Sequence, residues 1–138
     1  MTIQLASKQV SLENILYATD FSRPSIKALP YVLAVARKYE SHVIAAHVIS
    51  SAAFQVRPQT MEMQAITAQA IREADEAMGA LNSQLSGIQH ETVVRKGDIW
   101  KELSTIVEEQ GVDLIVAGTH GRSAFGKLLM GSVAEQMF

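Results

Sequence analysis

The chain contains no cysteine, and neither sign of charge dominates it. Its 138 residues include 12 lysines and arginines against 14 aspartates and glutamates, which gives a formal net charge of −2. The absence of cysteine excludes disulfides, thiolate catalysis and cysteine-based metal sites. The absence of a basic excess or a basic run argues against nucleic-acid binding, and we expect no nucleic-acid partner.

Long hydrophobic runs are missing as well. No apolar stretch approaches the roughly 20 residues that a membrane helix needs, and residues 1–13 lack the apolar segment of a signal peptide. We therefore expect a cytoplasmic protein with no membrane partner. With 48% hydrophobic residues, a chain of this length can form one domain with a sizeable core.

Glycine is absent from the first half of the chain and concentrated near its end. The first glycine is Gly79, whereas four of the eight lie between Gly118 and Gly131. This glycine-rich segment follows residues 112–117, an apolar run that is typical of a buried parallel strand. A strand, a glycine loop and a helix start form the phosphate sites of α/β folds, because glycines let backbone N–H groups approach phosphate oxygens.

Two common phosphate-binding motifs fit this segment poorly. Gly121, Gly126 and Lys127 match the spacing G-x-x-x-x-G-K, but Leu128 stands where a P-loop needs a Ser or Thr to hold magnesium. The dinucleotide fingerprint G-x-G-x-x-G does not occur, and the preceding strand is the last of the chain rather than the first. The sequence therefore argues against a P-loop and against a dinucleotide site.

A third pattern fits the segment. Gly118, Gly121, Gly131 and Ser132 form the motif G-2x-G-9x-G-[S/T], and with it the chain resembles the ATP-binding class of the universal stress protein family. The resemblance covers nearly the whole chain. Residues 14–22 resemble the first strand of the family, residues 47–48 the end of its second strand, and residues 113–121 its fourth strand with the loop that follows.

Hydrophobic periodicity predicts strands that alternate with helices. The expected strands span residues 15–18, 43–49, 91–96 and 112–117, and the third is polar enough for a sheet edge. The first helix should begin after Ser22 and kink at Pro30, and a third should follow Asp98. The longest helix, about residues 59–85, carries the apolar stripe Met63, Ile66, Ala70, Ala74, Met78, Leu81 and Leu85.

This alternation predicts an α/β fold, a doubly wound parallel sheet with helices on both faces. The family resemblance implies the strand order 3-2-1-4. It also implies a fifth strand, whereas the sequence ends at Phe138, about two turns into the last helix. We therefore expect residues 1–138 to form a single domain that is C-terminally incomplete, with a homodimer or tandem-domain partner.

The resemblance places an adenine nucleotide between the ends of the first, second and fourth strands. Ala18, Thr19 and Asp20 would lie beside adenine and ribose, and the backbone of Val48 would meet the adenine edge. Asp20 has two open roles: its carboxylate could accept from a ribose hydroxyl or hold a metal through water, or it could cap the helix near residues 22–25.

The glycine-rich segment would hold the phosphates. The binding residues that the resemblance implies there are Gly118, Thr119, His120, Gly121, Arg122, Gly131, Ser132 and Val133. His120 could serve as a base or phosphate donor, or could face solvent. Of the other histidines, His47 is predicted to be a hydrogen-bonded core residue, and His42 and His90 to lie at the surface. Their spacing predicts no metal site.

Three functions remain open. The first, which we favour, is an ATP-binding regulatory domain whose occupancy controls association or partner binding; the cofactor would be ATP, or ADP or AMP, with magnesium. The second is a slow ATPase or autophosphorylating enzyme, which needs a positioned base and metal ligands near the γ-phosphate. The third is an interaction module without nucleotide. The sequence identifies no catalytic residue.

Overall fold

The computed structural model describes residues 11–50 and 61–118. Strands and helices alternate along these residues, as the sequence predicts. The strands are β1 (Asn14–Ala18), β2 (His42–Ser50), β3 (His90–Gly97) and β4 (Leu114–Ala117), and the helices are α1 (Arg23–Tyr39), α2 (Met61–Gln84) and α3 (Ile99–Gln110).

The strands form a four-stranded parallel sheet with the order β3-β2-β1-β4. Ile15 at the centre pairs with Val43 on one side and with Leu114 on the other. This confirms the predicted strand order and the edge position of β3. Because parallel neighbours need a crossover, each helix packs against the sheet between two strands.

Side chains alternate between the two faces of the sheet, which divides the core in two. On one face, Ile15 and Tyr17 of β1 pack with residues of α1 and α2, among them Val32 and Met78. On the other face, Leu16, Ala18 and Ile44 pack with Leu103 and Ile106 of α3. Helices therefore cover both faces, and the predicted α/β class is confirmed.

Helix α1 begins at the predicted place. Ser22 is its N-cap, with a side chain that accepts from the Ser25 backbone N–H, and Pro24 occupies the first turn. Pro30, where we predict a kink, lies within the helix, which continues to Tyr39. Proline has no backbone N–H, so one helical hydrogen bond is missing here. Because Pro30 is exposed, this gap lies on the solvent side of the helix.

Among the described side chains of the predicted α2 stripe, the buried ones lie in the second half of the helix and just after it. Ala74, Met78 and Leu81 are buried, and so is Leu85 after the helix end, but Ile66 is 64% exposed. The prediction that Ile66 lies in the core is therefore wrong. The helix has 24 residues, and its described buried residues lie in its second half.

The side chain of Met63 lies outside the described part of the structure, and Ala70 is half-buried. Two histidines predicted at the surface, His42 and His90, are also half-buried. The ring nitrogens of His90 lie 2.6 Å from Ile88 O and 2.7 Å from Asn82 Oδ1. His90 thus links the end of α2 to the start of β3.

Candidate functional site

A cavity of about 230 Å³ opens at the carboxyl ends of β1 and β2, beside the first turns of α3. Four residues that the sequence predicts for the site line it: Ala18, Thr19, Asp20 and Val48. The structure therefore brings together residues separated by nearly 30 positions. Ligands of doubly wound folds bind at this edge of the sheet.

Other lining residues were not among the predicted site residues. Ile99 and Leu103 of α3 form an apolar wall, and His47 and Ser50 of β2 supply polar groups. The sequence signal that could have found this wall is Asp98, a helix-capping residue type directly after β3. In the structure it caps α3, and its Oδ1 accepts from Lys101 N at 2.9 Å. A helix capped immediately after β3 must place its first turn at the carboxyl edge of the sheet.

The alternation of backbone groups along β2 gives Val48 a particular orientation. His42 N donates to Glu13 O, and Ala46 O accepts from Thr19 N at 2.9 Å, so even-numbered residues of β2 face β1. The last β1–β2 pair joins Ala18 and Ala46. The N–H and C=O of Val48 thus point toward the β1 side, one step beyond the last pair.

The turn between β1 and α1 is built from local side-chain hydrogen bonds. Thr19 Oγ1 accepts from Phe21 N at 3.0 Å and lies 2.9 Å from Ser25 Oγ. Asp20 Oδ1 accepts from Ser22 N at 2.9 Å. Since Ser22 is the helix cap, the helix-capping role considered for Asp20 is wrong: its carboxylate closes the turn before the helix.

Phe21, at the apex of this turn, has a left-handed backbone with φ of 62°. A non-glycine residue in this region costs about 1–2 kcal/mol, so its surroundings must hold it there. The hydrogen bonds of Thr19 and Asp20 do so from within the turn. The ring of His47 adds a contact from β2, with ring centroids 4.6 Å apart.

His47 is half-buried, and its Nδ1 lies 2.8 Å from Thr19 O. A carbonyl oxygen only accepts, so Nδ1 must carry the hydrogen and donate it. The hydrogen bond predicted for His47 is therefore present. The sequence does not predict that the same residue also lines the cavity.

Beneath the turn, Tyr17 connects β1 to the first turn of α1. Its hydroxyl donates to Ser25 O at 2.5 Å, and the side chain is buried. Burial raises the pKa of the Tyr17 phenol, because a phenolate in the core would lose its hydration. Tyr17 is thus a neutral donor that supports the turn from the core.

Gly118, at the end of β4, is buried against the same turn of α1. A Cβ at this position would lie 2.7 Å from Ser25 N and 2.9 Å from the carbonyl carbon of Pro24. The absence of a side chain at this position therefore lets the backbone of α1 approach closely. Its role toward phosphate stays a prediction.

The remaining predicted site residues lie outside the described residues: Thr119, His120, Gly121, Arg122, Gly131, Ser132 and Val133. Within residues 11–50 and 61–118, no group of three or more His, Asp or Glu side chains could hold a metal ion. None of the helices in these two ranges is long and apolar enough to cross a membrane.

Comparison with known proteins gives the same fold. The solved structure of hypothetical protein MJ0577 has a TM-score of 0.77 to this chain, at 30% identity. The alignment covers 93% of this chain and 89% of that one. UspA from Lactobacillus plantarum has a TM-score of 0.76 at 18% identity, covering 92% and 90% of the two chains.

Sequence relatives agree. Universal stress protein MJ0531 of Methanocaldococcus jannaschii is 27% identical over 127 residues, which are 91% of this chain and 75% of the relative. The sequence model of the universal stress protein family matches residues 11–138. With the parallel 3-2-1-4 sheet, this match confirms the family resemblance: the chain belongs to the universal stress protein family.

Proposed function

We propose that this universal stress protein domain binds ATP and that its nucleotide occupancy controls association or partner binding. One observation carries the proposal: Ala18, Thr19, Asp20 and Val48, separated in sequence, line one cavity at the carboxyl edge of the sheet. This edge is the ligand-binding edge of doubly wound folds.

The size and lining of the cavity suit one part of a nucleotide, the base with its ribose. Its volume of about 230 Å³ is below the roughly 300–1,000 Å³ of pockets that enclose a drug-sized ligand, so it suits the base and ribose. Ile99 and Leu103 would contact the base face, and the backbone of Val48, which points toward the β1 side, would meet the base edge. Asp20 would accept from a ribose hydroxyl.

The phosphates would then extend toward the glycine-rich segment after β4. That segment starts at Gly118, which packs against the first turn of α1. The predicted donors are the backbone N–H groups at Gly121, Gly131 and Ser132. Magnesium would be held by the phosphates, with Asp20 reaching it through water; its chemistry there is to screen the phosphate charges from one another.

A further structure supports a nucleotide ligand for this fold. A universal stress protein solved in complex with cAMP shares the fold of this chain, with a TM-score of 0.54 and 22% identity. Hydrolysis has less support, because Asp20 is the one acidic side chain among the described residues that line the cavity. We propose a cytoplasmic domain that works as a homodimer or beside a tandem partner.

Calorimetry with Mg-ATP tests the proposal. Nucleotide-free protein should bind about one ATP per chain. Asp20→Asn keeps an oxygen for Ser22 N but removes the charge, and we expect about a tenfold loss of affinity, as for a charge-assisted hydrogen bond. Asp75→Asn, an exposed change on α2, is the matched control and should bind like the unaltered chain.

Gly131→Val tests the phosphate side of the site, since a branched side chain should block the backbone approach. We expect ATP affinity to fall while the fold is kept. Two results would contradict the proposal: folded, nucleotide-free protein that binds no ATP, or ATP affinity that is unchanged in both Asp20→Asn and Gly131→Val.

A further inference from the structure

The hydrogen bonding between β1 and β2 ends in an unusual way at Thr19. Its N–H donates to Ala46 O at 2.9 Å, as the next step of the parallel pairing requires. Its carbonyl, however, accepts from the side chain of His47, whose Nδ1 is 2.8 Å away. A continued ladder would instead give this carbonyl to the backbone N–H of Val48, the next even-numbered residue of β2.

The geometry points to His47 as the residue that ends the ladder and thereby leaves the Val48 N–H for the nucleotide. This inference rests on the proposed function, in which the backbone of Val48 meets the base edge. His47 would act through Thr19 and Val48, without touching the ligand, and is thus a positioning residue.

The surroundings of His47 support this role. Its ring lies 4.6 Å from the ring of Phe21, which has a left-handed backbone two residues after Thr19. The side chain of Asp20 holds that turn through Ser22 N. The Phe21 contact therefore helps to hold the His47 ring beside Thr19 O, the carbonyl that the Val48 N–H would otherwise reach.

The tautomer of His47 follows from the same bond. Nδ1 must carry a hydrogen, because Thr19 O can only accept. In the neutral ring Nε2 is therefore unprotonated, and it makes no hydrogen bond to the described part of the chain. Nitrogen chemical shifts of the neutral ring in the free protein should show the Nδ1–H form. The Nε2–H form would overturn the inference without any ligand.

Substitutions at His47 separate the two ring nitrogens. The amide nitrogen of Asn takes the place of Nδ1, whereas that of Gln takes the place of Nε2. We expect His47→Asn to keep ATP affinity within about threefold, and His47→Leu and His47→Gln to lose about tenfold, the value of one hydrogen bond. Thermal unfolding of each variant establishes that it is folded.

Hydrogen exchange at Val48 supplies a measurement that needs no nucleotide. Its amide should exchange quickly in the unaltered chain and in His47→Asn, and slowly in His47→Leu, where it pairs with Thr19 O. If ATP does not bind at all, the proposed function fails but this test of His47 still stands. A Val48 amide already protected in the unaltered chain would overturn the inference.

Three results of the binding measurements would also overturn the inference about His47. His47→Leu with full ATP affinity would show that His47 does not matter. Full affinity in His47→Gln together with weak binding in His47→Asn would show direct contact through Nε2. Affinity in His47→Asn as low as in His47→Leu would show that the hydrogen bond to Thr19 is not what positions Val48.

Discussion

The two ends of the sheet use polar side chains for different purposes. At the amino end, Asp113 Oδ2 accepts from Glu13 N at 2.9 Å and from Asn14 N at 3.0 Å, and Ser41 Oγ donates to Leu12 O. These side chains satisfy backbone groups where the strands begin. At the carboxyl end, Thr19 and Asp20 instead build the turn that leads into α1, beside the cavity that they line.

A second cavity, at the amino end of the sheet, is larger than the candidate site. A groove of about 330 Å³ lies at the amino end, between the C-terminus of α1 and the turn before β3. Its lining, which includes Arg37, Glu40 and Gln89, comes from a helix end and a turn. The smaller cavity is the better candidate because strand ends supply it with backbone and side-chain groups of fixed direction.

The first prediction compares two glycines whose surroundings differ. Gly118→Ala places a Cβ 2.7 Å from Ser25 N, and we expect it to lower the free energy of unfolding by about 2 kcal/mol through overpacking. Gly79→Ala lies within α2 with no atom within 4 Å of the new Cβ, and should raise it by about 0.5–1 kcal/mol. Urea denaturation of both variants gives these values. Equal effects would contradict the tight packing at Gly118.

The second prediction concerns the amino end. Asp113→Ala removes the acceptor of two backbone N–H groups, and should lower the free energy of unfolding by about 1 kcal/mol. ATP affinity should stay the same, because the change lies at the opposite end of the sheet from the cavity. Calorimetry at a temperature where the variant is folded checks this. A fall in ATP affinity as large as that expected for Asp20→Asn would contradict the assignment of nucleotide binding to the carboxyl end alone.

The third prediction uses the raised pKa of Tyr17. Burial raises the pKa above its ordinary value of 10.0, so the folded protein holds the phenolic proton more tightly than the unfolded chain does. The resulting stability is complete below pH 10.0 and falls as the pH rises toward the folded value. Tyr17→Phe should lower the free energy of unfolding by about 1 kcal/mol at neutral pH, and the decline of stability above pH 10.0 should become flatter.

Tyr31→Phe is the matched control, since Tyr31 is 72% exposed. It should leave both the neutral stability and the decline above pH 10.0 as they are in the unaltered chain. Denaturant unfolding between pH 7 and 11 measures both variants. An alkaline decline that persists in Tyr17→Phe would show that another group causes it.

The smallest effect should come from Ile66, the exposed member of the predicted apolar stripe of α2. Ile66→Gln alters an exposed side chain, and the free energy of unfolding should change by less than about 0.5 kcal/mol. Met78→Ala, on the buried part of the same helix, should lower it by about 2–4 kcal/mol. A large loss in Ile66→Gln would show that the early turns of α2 are packed.

The fold was predictable because each element carries a local signal. Alternating apolar runs and helical periodicity, with caps at Ser22 and Asp98, predict the order of strands and helices. Periodicity does not, however, tell which part of an apolar stripe packs against the sheet. Ile66 fits the apolar stripe of α2, yet it is exposed and lies outside the core.

The site was predictable only in part. The family resemblance predicts Ala18, Thr19, Asp20 and Val48, which line one cavity. The hydrogen bond of His47 to Thr19 depends on where the β1–β2 pairing stops, and register is not visible in one strand alone. The packing of Gly118 against α1 likewise depends on a contact between segments far apart in sequence.

The difference between the two ends is tested most directly by a nuclear magnetic resonance titration of the nucleotide-free chain with Mg-ATP. The amide signals of Thr19, Asp20 and Val48 should shift and saturate at about one ATP per chain. Those of Asn14, His90 and Asp113, at the amino end, should stay in place. Shifts confined to the amino end, or no saturable shift in folded protein, would contradict nucleotide binding at the carboxyl edge.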